Sequence, residues 1–284
     1  MTAVSVQAPA KVNLYLHVTG RRGDGYHLLD SLFVFAKDGD VVTVRESDSL
    51  SLDVSGPYAD ALPGGGENIV LKASRLLADA CGRKPAAAVL LEKNLPVAAG
   101  IGGGSADAAA VLKALLKLWN RTIPAAQLHE IALELGADVP SCLAAKAVQV
   151  SGIGEILTPA PELPVLFLVL VNPNRPVFTP AVFKAREPVF SAPAPFTEKM
   201  TDFDVFIRAL AARRNDLSDA ACQIEPSVFE VLQALQADPL CRLARMAGSG
   251  GTCFGIFATP EDASLCCQRI RKNHPDWWIL NTRI

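Results

Sequence analysis

A run of glycines lies directly against a helix-forming segment in NLPVAAGIGGGSADAAAVLKALLKLW, residues 94–119. Glycine allows positive φ and close approach of a ligand, and a helix N-terminus leaves N–H groups unpaired beside a partial positive charge. Together these features favour binding of an anion, most often phosphate. The two common phosphate-loop patterns do not match. G-x-x-x-x-G-K-[ST] needs Lys and then Ser or Thr after its last glycine, but Ser105 and Ala106 follow Gly104. G-x-G-x-x-G needs a glycine at the position of Ser105. From the glycines alone, a flexible loop before a core helix stays an open alternative.

Three residues could carry the chemistry of phosphoryl transfer, which needs charge neutralisation, in-line positioning and often a carboxylate near the attacking hydroxyl. Asp138, in ADVPSC just past a predicted helix, could accept the hydroxyl proton. Lys11 could pair with a carboxylate or stabilise developing negative charge, and Ser105 could offer its hydroxyl to phosphate or a metal ion. Each has a structural alternative, since Lys11 alone is more often a solvated strand residue and Asp138 could cap the next helix.

The elements that must position these residues can be predicted from periodicity. Apolar and polar residues alternate over residues 10–18, which predicts a strand with a hairpin partner over residues 26–36 and a further strand near residues 40–45. A strand over residues 86–93 and a helix over residues 105–119 would enclose the glycine loop. The polar face of the first strand is rich in hydrogen-bonding groups, namely Lys11, Asn13, Tyr15 and His17.

Several other features have ordinary structural interpretations when taken singly. GSGGTCF, residues 248–254, could be a plain hairpin turn. Tyr26 and His27 could be half-buried strand residues, and Phe183 could belong to the core. No one of these signals identifies an enzyme.

Composition bounds the class of protein. The chain has 284 residues, of which 50% are hydrophobic and 20% charged, as expected for a folded globular protein with a substantial core. A formal net charge of −2 offers no basic face for general nucleic-acid binding. We therefore expect no nucleic-acid partner.

The cysteines and the apolar segments bear on location. The 7 cysteines form no C-x-x-C, and the simplest account is reduced thiols used as small core residues. The N-terminal segment lacks a basic region followed by a long apolar run, and LPVLFLVLV, residues 163–171, is too short to span a bilayer as a helix. We expect a soluble, cytoplasmic protein that does not bind a membrane.

A composition change near residue 160 predicts a domain boundary. Glycine and proline become frequent over residues 152–164, and the strand PVLFLVLVNP then begins a new region. We therefore expect an N-terminal domain over residues 1–160 and a C-terminal domain over residues 161–284.

Three segments taken together resemble the motifs of the GHMP kinases, in the same order. They are PAKVNLYLHVTGRRGDGYHLLDSLF at residues 9–33, LPVAAGIGGGSADAAA at residues 95–110 with LGADVPSCL at residues 135–143, and MAGSGGTCF at residues 246–254. The resemblance implies two α/β domains, the first similar to domain 2 of ribosomal protein S5 and the second ferredoxin-like. It also implies a transferase that phosphorylates an alcohol group with ATP and magnesium.

The resemblance assigns roles to residues of the ATP site. Asp138 matches the catalytic base and Lys11 its catalytic partner, and a nearby ammonium would favour the ionised carboxylate. Asn68 and Lys93 resemble residues of the nucleotide pocket, and Ser105 is the one candidate for a metal ligand. The ATP phosphate loop corresponds to Pro96, Val97, Ala98, Ala99, Gly100, Ile101, Gly102, Gly103, Gly104, Ser105 and Ala106.

A second set of residues resembles the branch of the family whose substrate is a methylerythritol carrying a cytidine diphosphate group, in the non-mevalonate route to isoprenoid precursors. Tyr26 and Phe183 would stack on the two faces of the cytosine ring, and His27 would hydrogen-bond its edge. Asn13 and Thr179 would hold the methylerythritol diphosphate part, and Asp138 would also contact the substrate. Because Phe183 lies beyond residue 160, we expect the substrate in a cleft between the two domains.

Two other functions stay open. Another GHMP kinase would act on homoserine or mevalonate, but those kinases lack the RRGDGYH continuation after the first strand. A non-catalytic sensor on the same fold would have no need of a base such as Asp138. The oligomeric state is left open by the sequence.

Overall fold

A computed structural model describes residues 3–62 and 68–284. Its strands are β1 (Ala3–Arg21), β2 (His27–Arg45), β3 (Leu50–Ser55), β4 (Ala87–Glu92), β5 (Val148–Ser151), β6 (Ile156–Pro159), β7 (Phe167–Asn172), β8 (Leu243–Met246), β9 (Cys253–Phe257) and β10 (Trp278–Arg283). Its α-helices are α1 (Ile69–Ala80), α2 (Gly103–Leu118), α3 (Ala125–Leu135), α4 (Val139–Ala144), α5 (Thr179–Ala185), α6 (Phe203–Ala211), α7 (Ser218–Ile224), α8 (Ser227–Gln236) and α9 (Pro260–Asn273).

The chain forms two compact units that do not follow a single cut in the sequence. Unit 1 comprises the residues up to Lys11 together with Asp38–Val97 and Gly102–Lys146, and unit 2 comprises Val12–Lys37, Ala98–Ile101 and Ala147–Ile284. Strands β1 and β2 pair with each other and contribute residues to both units. The division of the sequence at residue 160 stays a prediction.

Unit 1 is built around helix α2. Strand β3 pairs in parallel with β4, and β4 pairs antiparallel with Val41–Arg45 of β2. Helices α1 and α4 pack against α2. Every residue from Ala106 to Leu112 is buried, as expected for a helix that is surrounded by protein and rich in small apolar residues. Asp107 is the charged residue within that buried stretch, so its partners matter for the fold.

Unit 2 contains a four-stranded antiparallel sheet in the order β10, β7, β9, β8. Helices α8 and α9 pack on it through Val231, Leu235, Cys266 and Ile270, which belong to one buried apolar cluster with Val169 and Phe257. In the same unit, Ser31–Phe33 of β2 pair with β5, and β5 pairs with β6.

The first two strands are longer than predicted. Residues 26–36 and 40–45 form a single 19-residue strand, β2, where the sequence predicts two separate strands. Lys37, Asp38 and Gly39 interrupt the apolar pattern between the two predicted strands, but β2 continues through them. A Cβ at Gly39 would lie 2.0 Å from the carbonyl oxygen of Ala8, so glycine is needed for close contact with β1.

The cysteines and the helix lengths bear on two of the features considered from the sequence. The described cysteines are free, and those with buried side chains are Cys142, Cys253, Cys266 and Cys267. The use of these four as small core residues is confirmed, whereas Cys81, Cys222 and Cys241 are half-buried. Within residues 3–62 and 68–284, no helix combines the length and the apolar character needed to cross a bilayer.

Candidate active site

Lys11 and Asp138 form an ion pair in unit 1. Lys11 Nζ lies 3.1 Å from Asp138 Oδ2, and the side chains are 6% and 34% exposed respectively. The interpretation of Lys11 as a solvated strand residue is therefore wrong. A nearly buried ammonium therefore lies beside a partly exposed carboxylate, which stays accessible to a ligand.

Asp138 stands at the start of α4, but its side chain does not cap that helix. It occupies the N-cap position, yet no helix N–H donates to its carboxylate. Its backbone carbonyl instead accepts bonds from the Cys142 N–H at 3.1 Å and the Ser141 hydroxyl at 2.8 Å. Pro140 in the first turn lacks an N–H and favours the helix start. The backbone therefore fixes Asp138, and its carboxylate is left to face Lys11.

The N-terminus of α2 carries the features of an anion-binding site. Gly102 precedes the helix with a positive φ of 66° and has no side chain to cap the first-turn N–H groups. The Ala106 N–H donates to the Gly102 carbonyl at 2.9 Å, which leaves the N–H groups of Gly103, Gly104 and Ser105 ahead of the first intrahelical bond. A Cβ at Gly102 would lie 3.2 Å from Lys11 Cε, so the Lys11 side chain runs beside this turn.

The preceding part of the glycine loop, Ala98–Ile101, packs within unit 2 against the turn between β8 and β9. A Cβ at Gly100, whose φ is 73°, would lie 2.4 Å from the Gly250 carbonyl oxygen. The Thr252 N–H donates to the Ala99 carbonyl at 3.1 Å. The segment 248–254 is thus a hairpin turn, as the simpler interpretation holds, and it also supports the loop.

Replacing Gly100 by alanine is expected to lower the free energy of unfolding by roughly 2–4 kcal/mol, because the new Cβ adds positive-φ strain and a clash with backbone. The urea unfolding midpoint measures this. Gly23→Ala is the matched control, since a Cβ at Gly23 meets nothing within 4 Å. An equal shift in both variants would contradict the close packing of the loop.

Lys93 lies in a buried charged cluster. It is 2% exposed, and its ammonium donates to Asp40 Oδ2 and, at 2.7 Å, to Asp107 Oδ2. Burial opposes the charge on Lys93, but the Asp107 and Asp40 carboxylates outweigh it and raise its pKa. Burial raises the pKa of Asp107 to about 7, with Lys93 opposing and Asp40 adding to the rise. Sequence reasoning missed both acids, and the role of Lys93 in binding nucleotide stays a prediction.

Asn68 caps helix α1. Its side-chain oxygen accepts a hydrogen bond from the Val70 N–H at 2.9 Å, which satisfies one of the unpaired donors of that helix. Contact of Asn68 with the nucleotide stays a prediction.

Unit 2 contains a cavity of about 860 Å³ that brings together four of the residues predicted to bind the substrate. Tyr26, His27, Thr179 and Phe183 all line it. The rings of His27 and Phe183 are stacked, with centroids 5.0 Å apart and planes inclined by 25°. Tyr26 is 61% exposed, so its ring is available to a ligand. The sandwich of cytosine between Tyr26 and Phe183 stays a prediction.

The electrostatics of this cavity favour an anionic ligand and a neutral histidine. Among the residues described, its charged lining consists of the cations Arg21, Lys184 and Arg186 and the carboxylate Asp24. Burial lowers the pKa of His27, and the nearby Arg186 and Arg21 lower it further. A neutral imidazole can both donate and accept a hydrogen bond at a base edge. None of the three cations was predicted as a site residue, although Arg21 lies within the first of the three motifs.

Asn13 and Thr179 each have a polar partner in unit 2. The Asn13 side chain is buried, and its amide donates to the Ser31 hydroxyl at 3.0 Å. The Thr179 hydroxyl is bonded to the Ser249 hydroxyl at 2.7 Å. The other polar side chains on this face of β1, those of Lys11, Tyr15 and His17, are buried as well and have polar partners. Contacts of Asn13 and Thr179 with substrate stay predictions.

Comparison with known proteins identifies the family. The family models described as GHMP kinases N terminal domain and GHMP kinases C terminal match residues 68–146 and 201–276. The 4-diphosphocytidyl-2-C-methyl-D-erythritol kinase of Paramagnetospirillum magneticum is 56% identical over 100% of this chain and 99% of its own length. The chain belongs to the 4-diphosphocytidyl-2-C-methyl-D-erythritol kinase family of GHMP kinases. The Rhodospirillum rubrum member is 52% identical over 98% of this chain and 91% of its own.

Solved structures support the same family. A crystal structure of 4-(cytidine 5'-diphospho)-2C-methyl-D-erythritol kinase aligns with a TM-score of 0.81 at 35% identity, covering 98% of each chain. The homoserine kinase of Cytophaga hutchinsonii aligns with a TM-score of 0.70 at 17% identity over 99% of this chain and 95% of its own, and shares the fold alone. The predicted fold class, an α/β GHMP kinase with N- and C-terminal domains, is confirmed.

Proposed function

We propose that this protein transfers the γ-phosphoryl group of ATP to the 2-hydroxyl of 4-diphosphocytidyl-2-C-methyl-D-erythritol, giving the 2-phosphate and ADP. The observation that carries the proposal is the Lys11–Asp138 ion pair beside the uncapped glycine turn of α2. Two relatives that are 56% and 52% identical over nearly the whole chain bear the name of this kinase, which supports the choice of substrate.

Asp138 and Lys11 have different roles in activating the 2-hydroxyl. The Asp138 carboxylate accepts the proton of the 2-hydroxyl as the oxygen attacks the γ-phosphorus, and the bond from that phosphorus to the bridging oxygen of ADP breaks. Lys11 orients the carboxylate through the ion pair. The first-turn N–H groups of α2 hold phosphate oxygens, where the helix dipole favours negative charge.

Magnesium fits the donor set of this site as a partner of the nucleotide. Within the described residues, no three acidic, cysteine or histidine side chains cluster closely enough to cage an ion. Mg²⁺ often takes few protein ligands and is held largely by substrate phosphates and water. The Ser105 hydroxyl, in the first turn of α2, would hold it, and the ion would supply charge neutralisation of the phosphates.

The unit 2 cavity suits the cytidine group of the substrate. Aromatic rings of Tyr26 and Phe183 offer stacking surfaces, and the neutral His27 offers a hydrogen bond to the cytosine edge. The cations that line the cavity, Arg21, Lys184 and Arg186, complement a diphosphate. Asn13 and Thr179 would contact the methylerythritol diphosphate part.

The test is ADP release by the purified protein with Mg-ATP and the cytidyl substrate. Parallel reactions contain homoserine, mevalonate or 2-C-methyl-D-erythritol 4-phosphate, which lacks the cytidyl group. Turnover with the cytidyl compound alone is expected. Equal turnover with a substrate that lacks the cytidyl group would favour another GHMP kinase activity, and ligand binding without any turnover would favour a sensor.

A further inference from the structure

We propose that Asp107, Asp40 and Lys93 form a buried charge cluster that positions the first turn of α2 for nucleotide phosphate, acting from behind the turn without contacting the nucleotide. The inference rests on the proposed nucleotide site. It assigns a positioning role to two acids for which the sequence predicted no role, and it replaces direct nucleotide contact as the function of Lys93.

The cluster joins three parts of unit 1. Lys93 follows β4, Asp40 lies within β2, and Asp107 lies near the start of α2. The Lys93 ammonium binds both carboxylates, and Asp40 Oδ1 also accepts the backbone N–H groups of Asn94 and Leu95 at 2.6 and 2.8 Å. One ammonium therefore ties the helix start to the sheet and to the beginning of the glycine loop.

The cluster lies directly behind the turn. A Cβ at Gly103, the first residue of α2, would lie 3.1 Å from Lys93 Nζ and 3.7 Å from Asp40 Oδ2. Glycine at this position allows the helix backbone to rest on the charged cluster, which any larger side chain would disturb. The positions of the first-turn N–H groups thus depend on the cluster beneath them.

Burial separates the cluster from a ligand. Asp40, Lys93 and Asp107 are 0%, 2% and 2% exposed. Asp107 Oδ1 has no hydrogen-bond partner within the described residues, so the attachment of Asp107 to the cluster runs through its other oxygen to Lys93. Burying a carboxylate with one unpaired oxygen costs folding free energy, and a role in positioning the first turn of α2 would explain why Asp107 is present.

Asp107→Ala tests the proposal, because it removes the tie between α2 and Lys93 while leaving Lys93 balanced by Asp40. We expect the Kd for Mg-ADP and the KM for ATP to rise about tenfold, the value of one charge-assisted hydrogen bond. The KM for the cytidyl substrate and kcat at saturation should stay within about twofold, because Lys11 and Asp138 are untouched.

Asp107→Asn separates the effect of the hydrogen bond to Lys93 from the effect of the negative charge. It removes the same negative charge as alanine but keeps an oxygen that can accept from Lys93, so we expect it to restore most of the nucleotide affinity. If Lys93 instead bound phosphate directly, both variants would bind Mg-ADP more tightly than the native protein, because a competing carboxylate is gone. Tighter binding, or an unchanged Kd in Asp107→Ala, would overturn the proposal.

Lys113→Met is the matched control for effects on folding. Lys113 is a partly buried lysine on the same helix, and its ammonium donates to the Cys142 carbonyl at 3.3 Å. We expect a lower Tm with an unchanged Kd for Mg-ADP, measured by calorimetry on folded protein. Failure of the native protein to bind Mg-ADP would count against the proposed function itself, whereas tight binding by native protein and Asp107→Ala alike would count against the positioning cluster alone.

Discussion

Asp138→Asn is expected to lower kcat by about 10²–10⁴-fold, the usual contribution of a general base. Asparagine has nearly the same shape but cannot accept the proton of the 2-hydroxyl at neutral pH. The backbone bonds that hold this residue, from Ser141 and Cys142 to its carbonyl, do not depend on the carboxylate. The Kd for Mg-ADP and the KM for the cytidyl substrate should therefore change little.

Steady-state kinetics and calorimetry on the same preparation measure this split between turnover and binding. Asp79→Asn is the control, since Asp79 is an exposed aspartate in α1 of the same unit and should leave all constants unchanged. A near-native kcat in Asp138→Asn would remove Asp138 as the base. A loss of nucleotide binding equal to the loss of turnover would indicate a disrupted site.

Phe183→Ala is expected to raise the KM for the cytidyl substrate by about 10–100-fold, the value of one base–aromatic stacking contact. The phenyl ring lines the cavity and is stacked on His27 at 5.0 Å, so its loss removes a stacking surface and the support of the histidine. The KM for ATP should stay close to the native value.

Phe178→Ala supplies the comparison for Phe183. Phe178 immediately precedes α5, the helix that carries Phe183, and is 65% exposed, but it does not line the cavity. Its substitution should leave the KM for the cytidyl substrate unchanged. An unchanged KM in Phe183→Ala, or equal effects of the two substitutions, would show that the cavity does not bind the cytidine group.

Local sequence patterns were sufficient to predict the parts of the site that depend on neighbouring residues. The alternation through Lys11 indicated a strand, and the glycines before Ser105 indicated a loop and a helix start, both of which the structure contains. Asp138 could be singled out because it precedes a proline-initiated turn. Whether its side chain capped that turn or faced Lys11 depended on a contact across 127 residues, which no local pattern contains.

The buried cluster and the cavity cations escaped prediction for the same physical reason. Asp40 and Lys93 are 53 residues apart, and nothing in the sequence around either residue indicates that the two are paired. Asp107 lies in an alanine-rich helix whose single acidic residue looks like the start of a polar face, yet the helix is enclosed by protein. Gly39 similarly owes its role to a close contact with Ala8, which is 31 positions earlier in the chain. In each case the partner that gives the residue its role lies far away in the chain.

The most direct test of the central claim is to identify the products of one complete reaction by ³¹P NMR. Purified protein, Mg-ATP and 4-diphosphocytidyl-2-C-methyl-D-erythritol are expected to yield ADP and, in equal amount, a new phosphate monoester on the 2-hydroxyl of the methylerythritol. ADP with free inorganic phosphate, a phosphate ester at another hydroxyl, or unchanged ATP would contradict the account.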